Sequence, residues 1–284
     1  MALNIMSYLH DAYKNHYAVP AFDYSSLWDA AAIVKAAEEE KSPVIVMTIA
    51  RTADLLPVEV QGAFIKALAR KASVPVFTHV DHSVLYEQCE KAVIAGYDSV
   101  MIDASHCNLE ENISKTKAVV DFAHRNGAFV EAEIGRIKGR NIETVFESDE
   151  DFLVQTTDAV SLVKATNVDF LAVGVGSAHG FYTEEPKINQ ERLAEVNARL
   201  GIPLVMHGGT GIPVEMMQES IRNGIAKVNV GTDIMVGYAM SMKNYLDTQD
   251  KVSIFGGLPE SMNAVKEVAR TWIRVCMSNG KAIL

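Results

Sequence analysis

The sequence predicts an α/β protein folded as a (β/α)8 TIM barrel, one domain over residues 1–284 with extra terminal helices, and three observations carry that prediction. Eight apolar runs of five to seven residues alternate with longer segments whose apolar residues recur at helical spacing. The runs are predominantly apolar and read as strands buried on both faces and separated by helices, which implies a parallel sheet. A length of 284 residues suits one such barrel, which takes about 250.

Taken in order, Met1 to Tyr17 forms an amphipathic start carrying His10, Asp11 and Lys14. It lacks the basic head and continuous apolar middle of a secretory signal, so the expected compartment is the cytoplasm. The expected strands are Tyr17–Phe22, Pro43–Thr48, Pro75–Asp81, Ser99–Asp103, Phe129–Gly135, Phe170–Gly176, Pro203–Gly209 and Ala226–Thr232. Between them, segments such as Trp28–Glu40 and Glu111–Asn126 set apolar residues opposite Lys and Glu, which reads as helices lying on a barrel. Pro43, Pro75 and Pro203 each open a strand, and Gly96, Gly127, Gly201 and Gly224 stand where helices must end. The widest gap, Arg136 to Thr156, is rich in Gly and charge and reads as a long mobile loop after the fifth strand. From about residue 250 onward a turn at "FGGLPESMNAV" and a final amphipathic helix are expected to pack outside the barrel or on another subunit.

Composition narrows the function. A net charge of -10, with 26 Lys and Arg among 36 acids, excludes the clustered basic surface that a nucleic acid needs. No run of about 18 apolar residues offers a membrane span. Cys89, Cys107 and Cys276 are scattered, with no C-x-x-C pair, and read as reduced thiols.

The third strand ends in "THVDHS", where a carboxylate lies beside imidazoles at the end of an apolar run. Such groups are costly to bury unless a metal, partner or substrate satisfies them. The same rim gathers Asp81 and His82 from strand three, Asp103 from strand four, Glu133 from strand five, His179 after strand six, His207 from strand seven and Asn229 from strand eight. In a barrel these strand ends form the active face. His82, His179 and His207 can give three neutral imidazoles to one cation and leave a position open for substrate, a set that favours Zn2+ over other divalent metals. His79 shares the inward side of strand three with Asp81 and reads as a supporting residue. His10, His16, His106 and His124 read as structural or incidental. Two glycine turns, "HGGTGI" and "NVGTDI", lead into the last barrel helices, so Gly208, Gly209, Thr210, Gly231 and Thr232 form an expected phosphate cradle.

These residues resemble the class II, zinc-dependent ketose-bisphosphate aldolases along nearly the whole chain: "YAVPAF", "THVDH", "SVMIDASH" with "EENISKTK", "VEAEIGRIKG", "GSAHGFY", "PLVMHGGTGI" and "AKVNVGTD". The resemblance implies zinc on His82, His179 and His207, with Asp103 and Glu133 as alternate or supporting metal contacts. It also implies Asp81 as acid/base, Gly180, Gly208, Thr210 and Thr232 on phosphate, Asn229 at a metal-stabilised enediolate, and a monovalent cation at the phosphate site. The implied reaction is reversible retro-aldol cleavage of a ketose phosphate or bisphosphate to dihydroxyacetone (phosphate) and an aldehyde. The implied assembly is a homodimer or homotetramer.

Departures from the family pattern bear on the substrate. Asp23 replaces an Asn, Ile49 stands near a small Ser or Thr position, Thr183 replaces a Lys, and Met235 replaces the basic residue that clamps a distal phosphate. Arg51 and "IMVGY" are similar instead to aldolases for 2-deoxy-5-keto-gluconate 6-phosphate, and place Arg51 as a contact for an anion on the aldehyde half. Asn141 occupies the usual place of the mobile proton-transferring Glu, and Glu143, two residues on, is the catalytic candidate. A metal-dependent hydrolase would leave the glycine turns without a task, and a Schiff-base route would need Lys227. The main alternative is a catalytically inactive sugar-phosphate-binding or regulatory subunit with the same fold.

Overall fold

The computed structural model describes residues 4–137, 152–182, 184–250 and 253–283. Eight parallel strands close in sequence order: β1 (Val19–Asp23), β2 (Val44–Ile49), β3 (Val76–Ser83), β4 (Ser99–Ile102), β5 (Phe129–Ile134), β6 (Phe170–Val173), β7 (Leu204–Met206) and β8 (Ile225–Val230). Helices cover the outside of this closed sheet: α2 (Leu27–Glu40), α3 (Val58–Ala69), α4 (Tyr86–Ile94), α5 (Leu109–Arg125), α6 (Thr156–Thr166), α7 (Gln190–Leu200), α8 (Val214–Arg222) and α9 (Thr232–Asp247). The expected strand prolines stand immediately before β2, β3 and β7, where no ladder N–H is needed. The eighth strand is shorter than its apolar run: it stops at Val230, and Thr232 already opens α9.

The helix α1 (Ile5–Asn15) begins with a capping box between Asn4 and Ser7, and buries Ile5, Met6, Tyr8, Leu9 and Ala12. Those side chains join Val19, Ile45, Phe77, Phe170, Val205 and Ala226 in a core separate from the one beneath the outer helices. The barrel is thereby plugged at the strands' N-terminal end, and its polar contents lie toward the other.

The last helix, α10 (Ile254–Val275), packs on α9 and α2 outside the barrel. Arg270 and Arg274 pair with Glu40 of α2, and the Arg274 guanidinium leads in holding that carboxyl below its ordinary value. The expected turn at "FGGLPESMNAV" is instead the start of α10. Its glycines let α9 side chains approach closely: a Cβ on Gly256 would lie 1.9 Å from the Tyr245 hydroxyl of α9, and one on Gly257 would lie 2.6 Å from Met242 Sδ, so these side chains would have to shift. Cys89, Cys107 and Cys276 are free thiols. No helix of the described residues is long and apolar enough to cross a membrane.

Candidate active site

The third strand delivers two site residues through a local irregularity. Regular alternation would send Asp81 and His82 to opposite faces, yet both are buried at the site and lie 3.4 Å apart. The pairing of β3 with β4 shifts between Val80 and Ser83, and His82 adopts a left-handed φ of 53° that turns its ring inward. Such a conformation is uncommon for a residue other than glycine.

His82 meets the other two imidazoles. Its ring centroid is 4.6 Å from that of His207 and 5.2 Å from that of His179, and one nitrogen from each of the three lies within 4.8 Å of the others. The outward nitrogens of two rings are held by carboxylates: His82 Nδ1 is 3.0 Å from Asp103 Oδ2, and His207 Nε2 is 2.7 Å from Glu131 Oε1. A carboxylate accepts the ring proton, so the opposite nitrogens, His82 Nε2 and His207 Nδ1, carry lone pairs. They face each other at 2.9 Å. Two such lone pairs repel unless a cation or a proton stands between them. The donor set, neutral imidazoles backed by carboxylates, fits a zinc-type ion.

Glu133 and Asp103 form a second possible ligand group with His82. Glu133 Oε2 is buried without a hydrogen-bond partner among the described residues, and burial followed by the Asp103 charge raises its pKa well above the ordinary carboxyl range. Asp103 is steadied by Ser105, whose hydroxyl donates at 2.7 Å. His79 is wholly buried inside the barrel, with Nδ1 2.8 Å from the Ser99 hydroxyl and Nε2 3.6 Å from Glu131 Oε2. His10, His16 and His106 are exposed, and His124 pairs with Asp169 away from the site.

Two residues that sequence reading left without a structural role lie at the centre. Glu131 orients His207, and Lys227 donates to both Glu131 and Asn229. Each stands two residues before a recognised rim residue, Glu133 and Asn229. The strand's period of two therefore marks them as inward-facing.

Above the imidazoles opens a pocket of about 440 Å3, lined also by Asp81, Asn229 and both glycine turns. Gly208 holds φ 67°, and a Cβ there would stand 2.2 Å from the Ala178 carbonyl oxygen, so only glycine fits. Thr210 Oγ1 is buried without a partner among the described residues, as a donor awaiting an oxyanion would be. Tyr182 ties the two sides of the cradle: its hydroxyl accepts from Ala178 N–H at 2.9 Å and donates to the Gly208 carbonyl at 3.1 Å. Behind the cradle, the Trp272 indole of α10 donates to Asp233 at 2.8 Å and lies 3.4 Å from where a Gly209 Cβ would be.

The remaining expected substrate contacts reach the same pocket. Asp23 stands at the end of β1 close against Gly231, with Oδ2 2.4 Å from the position of an added Cβ. Gly180 and Thr232 line the wall, Met235 follows one turn into α9, and Arg51 projects from a short 3-10 helix, Ala50–Asp54, that follows β2. Arg51 is the one Lys or Arg among the lining residues described. Glu143, Asn141 and Thr183 fall outside the described residues.

A closed parallel barrel whose rim gathers three imidazoles that could hold a metal ion, beside a carboxylate and two glycine turns, has the architecture of a TIM-barrel enzyme. The family profile "Fructose-bisphosphate aldolase class-II" matches residues 3–281, and the chain belongs to that family. Its members are lyases and generally zinc-dependent. Among solved structures, the YdjI aldolase from Escherichia coli K12 is 34% identical with TM-score 0.88, the alignment covering 100% of both chains. A Coccidioides immitis protein described as a candidate fructose-1,6-biphosphate aldolase is 28% identical over 99% of this chain and 98% of its own, with TM-score 0.89. Fructose-bisphosphate aldolase (Fba) from Campylobacter jejuni, 19% identical over 96% of this chain and 94% of its own, shares the fold with TM-score 0.81.

Proposed function

We propose that the chain is a zinc-dependent aldolase that reversibly cleaves a ketose phosphate to dihydroxyacetone phosphate and an aldehyde. The observation that carries this reading is the convergence of His82, His179 and His207 on one pocket with Asp81 and the glycine cradle. When held by those imidazoles, with Asp103 and Glu133 in reach, the divalent ion supplies Lewis acidity to the ketone and its neighbouring hydroxyl.

The chain's own residues do the rest. Asp81, buried at the pocket floor, takes the proton from the C4 hydroxyl as the C3–C4 bond breaks and returns it in the reverse direction. Asn229 turns its amide N–H toward Asp81 Oδ1 at 3.2 Å and is placed to donate to the oxygen that gains charge at C2 or C3. Glu143 is the proposed proton carrier at C3. Gly180, Gly208, Gly209, Thr210, Gly231 and Thr232 hold the phosphate of the donor half through backbone amides and hydroxyls, with a monovalent cation beside it. Arg51 meets an anionic group on the aldehyde half, since Met235 offers a distal phosphate no charge. Lys227 is wholly buried with its ammonium engaged by Glu131 and Asn229, which argues against a Schiff base. The proposed setting is a cytoplasmic homodimer or homotetramer.

The test is a panel of ketose monophosphates, bisphosphates and unphosphorylated ketoses, assayed for triose release with zinc-loaded and demetallated protein. Release should require the metal. Asp81→Ala should cut turnover by about 10²–10⁴-fold with zinc still bound, and Arg51→Ala should raise KM most for the ketose with an anionic far end. Undiminished cleavage by demetallated protein would refute the mechanism. Zinc binding with no cleavage of any ketose would instead indicate the inactive binding subunit.

A further inference from the structure

Beneath the pocket the barrel encloses a charge cluster to which the aldol steps assign no task. Lys227 of β8 and Glu131 of β5 are both fully buried. An isolated ammonium there is strongly disfavoured, so its partners matter. Lys227 Nζ donates to Glu131 Oε2 and to Asn229 Oδ1, each at 2.7 Å.

An ammonium has three donors and no acceptor, so it can donate only to the oxygen end of the Asn229 amide. The nitrogen end must then face the other way, where Asp81 Oδ1 lies 3.2 Å from Asn229 Nδ2. With the amide reversed, an N–H would point at the ammonium and a carbonyl oxygen at a carboxylate, losing both contacts. The second bond occupies Glu131 Oε2 and leaves Oε1 to His207 Nε2, 2.7 Å away. One buried cation therefore sets the direction of a pocket donor and the seat of a ligand's supporting carboxylate.

We propose that Lys227 is a positioning residue, whose ammonium locks the Asn229 amide with its N–H pair toward Asp81 and the reacting oxygens. This rests on the reading of Asn229 as a donor in an aldolase, but the amide direction can be measured without substrate. Lys227 acts through Asn229 and does not touch the reactants.

The test compares Lys227→Met with the double variant Lys227→Met/Glu131→Gln, which removes the ammonium together with its buried counter-charge. The measurements are zinc affinity by competition with a chelator, and exchange of the C3 proton of dihydroxyacetone phosphate with D2O. In the double variant we expect zinc affinity to fall by about 10–100-fold, because Glu131 also supports His207, so exchange is measured at zinc concentrations that keep the site loaded. The exchange rate at saturation should fall about 10²-fold, with KM for dihydroxyacetone phosphate altered less than about 3-fold, a split that a general loss of structure would not give. Wild-type exchange rates in a zinc-loaded double variant would overturn the proposal. Neutron diffraction of the wild-type protein decides independently, even if both variants unfold: deuterons on the Asn229 atom facing Asp81 support it, and an oxygen there overturns it. Absence of exchange in the wild type alongside the expected amide direction would count against the aldolase reading and not against the lock.

Discussion

Glu133 is a buried acid whose Oε2 meets no hydrogen-bond partner among the described residues. Burial first, and then the Asp103 charge, keep its carboxyl protonated to a higher pH in the folded protein than in the unfolded chain. A raised folded-state pKa means that the folded state holds the proton longer. Its contribution to stability is therefore full below the ordinary glutamate value and is lost as pH rises through the folded value. In demetallated protein, Glu133→Gln should stabilise at pH 8 by about 1–3 kcal/mol, the usual cost of an unsatisfied buried group. The gain should vanish toward pH 4. Urea unfolding at the two pH values checks this, and a gain equal at both would show that the charge is not the cause. Glu133 was legible from its place on an inward strand position, as were Asp81 and the three imidazoles. The left-handed backbone of His82 was not, because nothing in "THVDHS" announces a shift of register between two paired strands.

At the level of elements, the cradle depends on a helix that is not part of the barrel. Trp272 of α10 is 7% exposed, donates to Asp233 in the first turn of α9, and packs under the Gly209 turn. Trp272→Phe keeps an aromatic ring and removes the donated hydrogen bond, a loss of about 1.5–3 kcal/mol for a bond to a charged group. The expected outcome is a folded enzyme whose KM for a phosphorylated ketose rises severalfold while kcat changes little. Equal loss of kcat would place the indole's influence on the imidazoles instead. Sequence periodicity identified α10 as an outer helix but took its glycine-rich start for a turn. Gly256 and Gly257 serve the approach of Tyr245, a tertiary contact with no local signature. Glu131 and Lys227 were hidden for a related reason: inside apolar strand runs, isolated charges say nothing of each other until the barrel closes and sets them 2.7 Å apart.

For the molecule as a whole, the three imidazoles come from β3, the segment after β6 and the end of β7, so one ion would bind together remote parts of the closed sheet. Zinc that binds only the folded chain should stabilise it by about 2.7 kcal/mol at 100 times its Kd, a rise of roughly 5–10 °C in Tm at about 2–4 °C per kcal/mol. Calorimetry with and without chelator measures this, and an unchanged Tm would mean that the cluster holds no ion. The barrel itself was legible because eight predominantly apolar runs separated by helical segments admit few other architectures, and the rim because polar side chains at such strand ends have little structural reason to be there. The bracing of the cradle by Trp272 has one more consequence, for the order in which the protein is made. All eight strands and every imidazole leave the ribosome before that indole does, so the proposed metal ligands are synthesised before the brace of the proposed phosphate cradle.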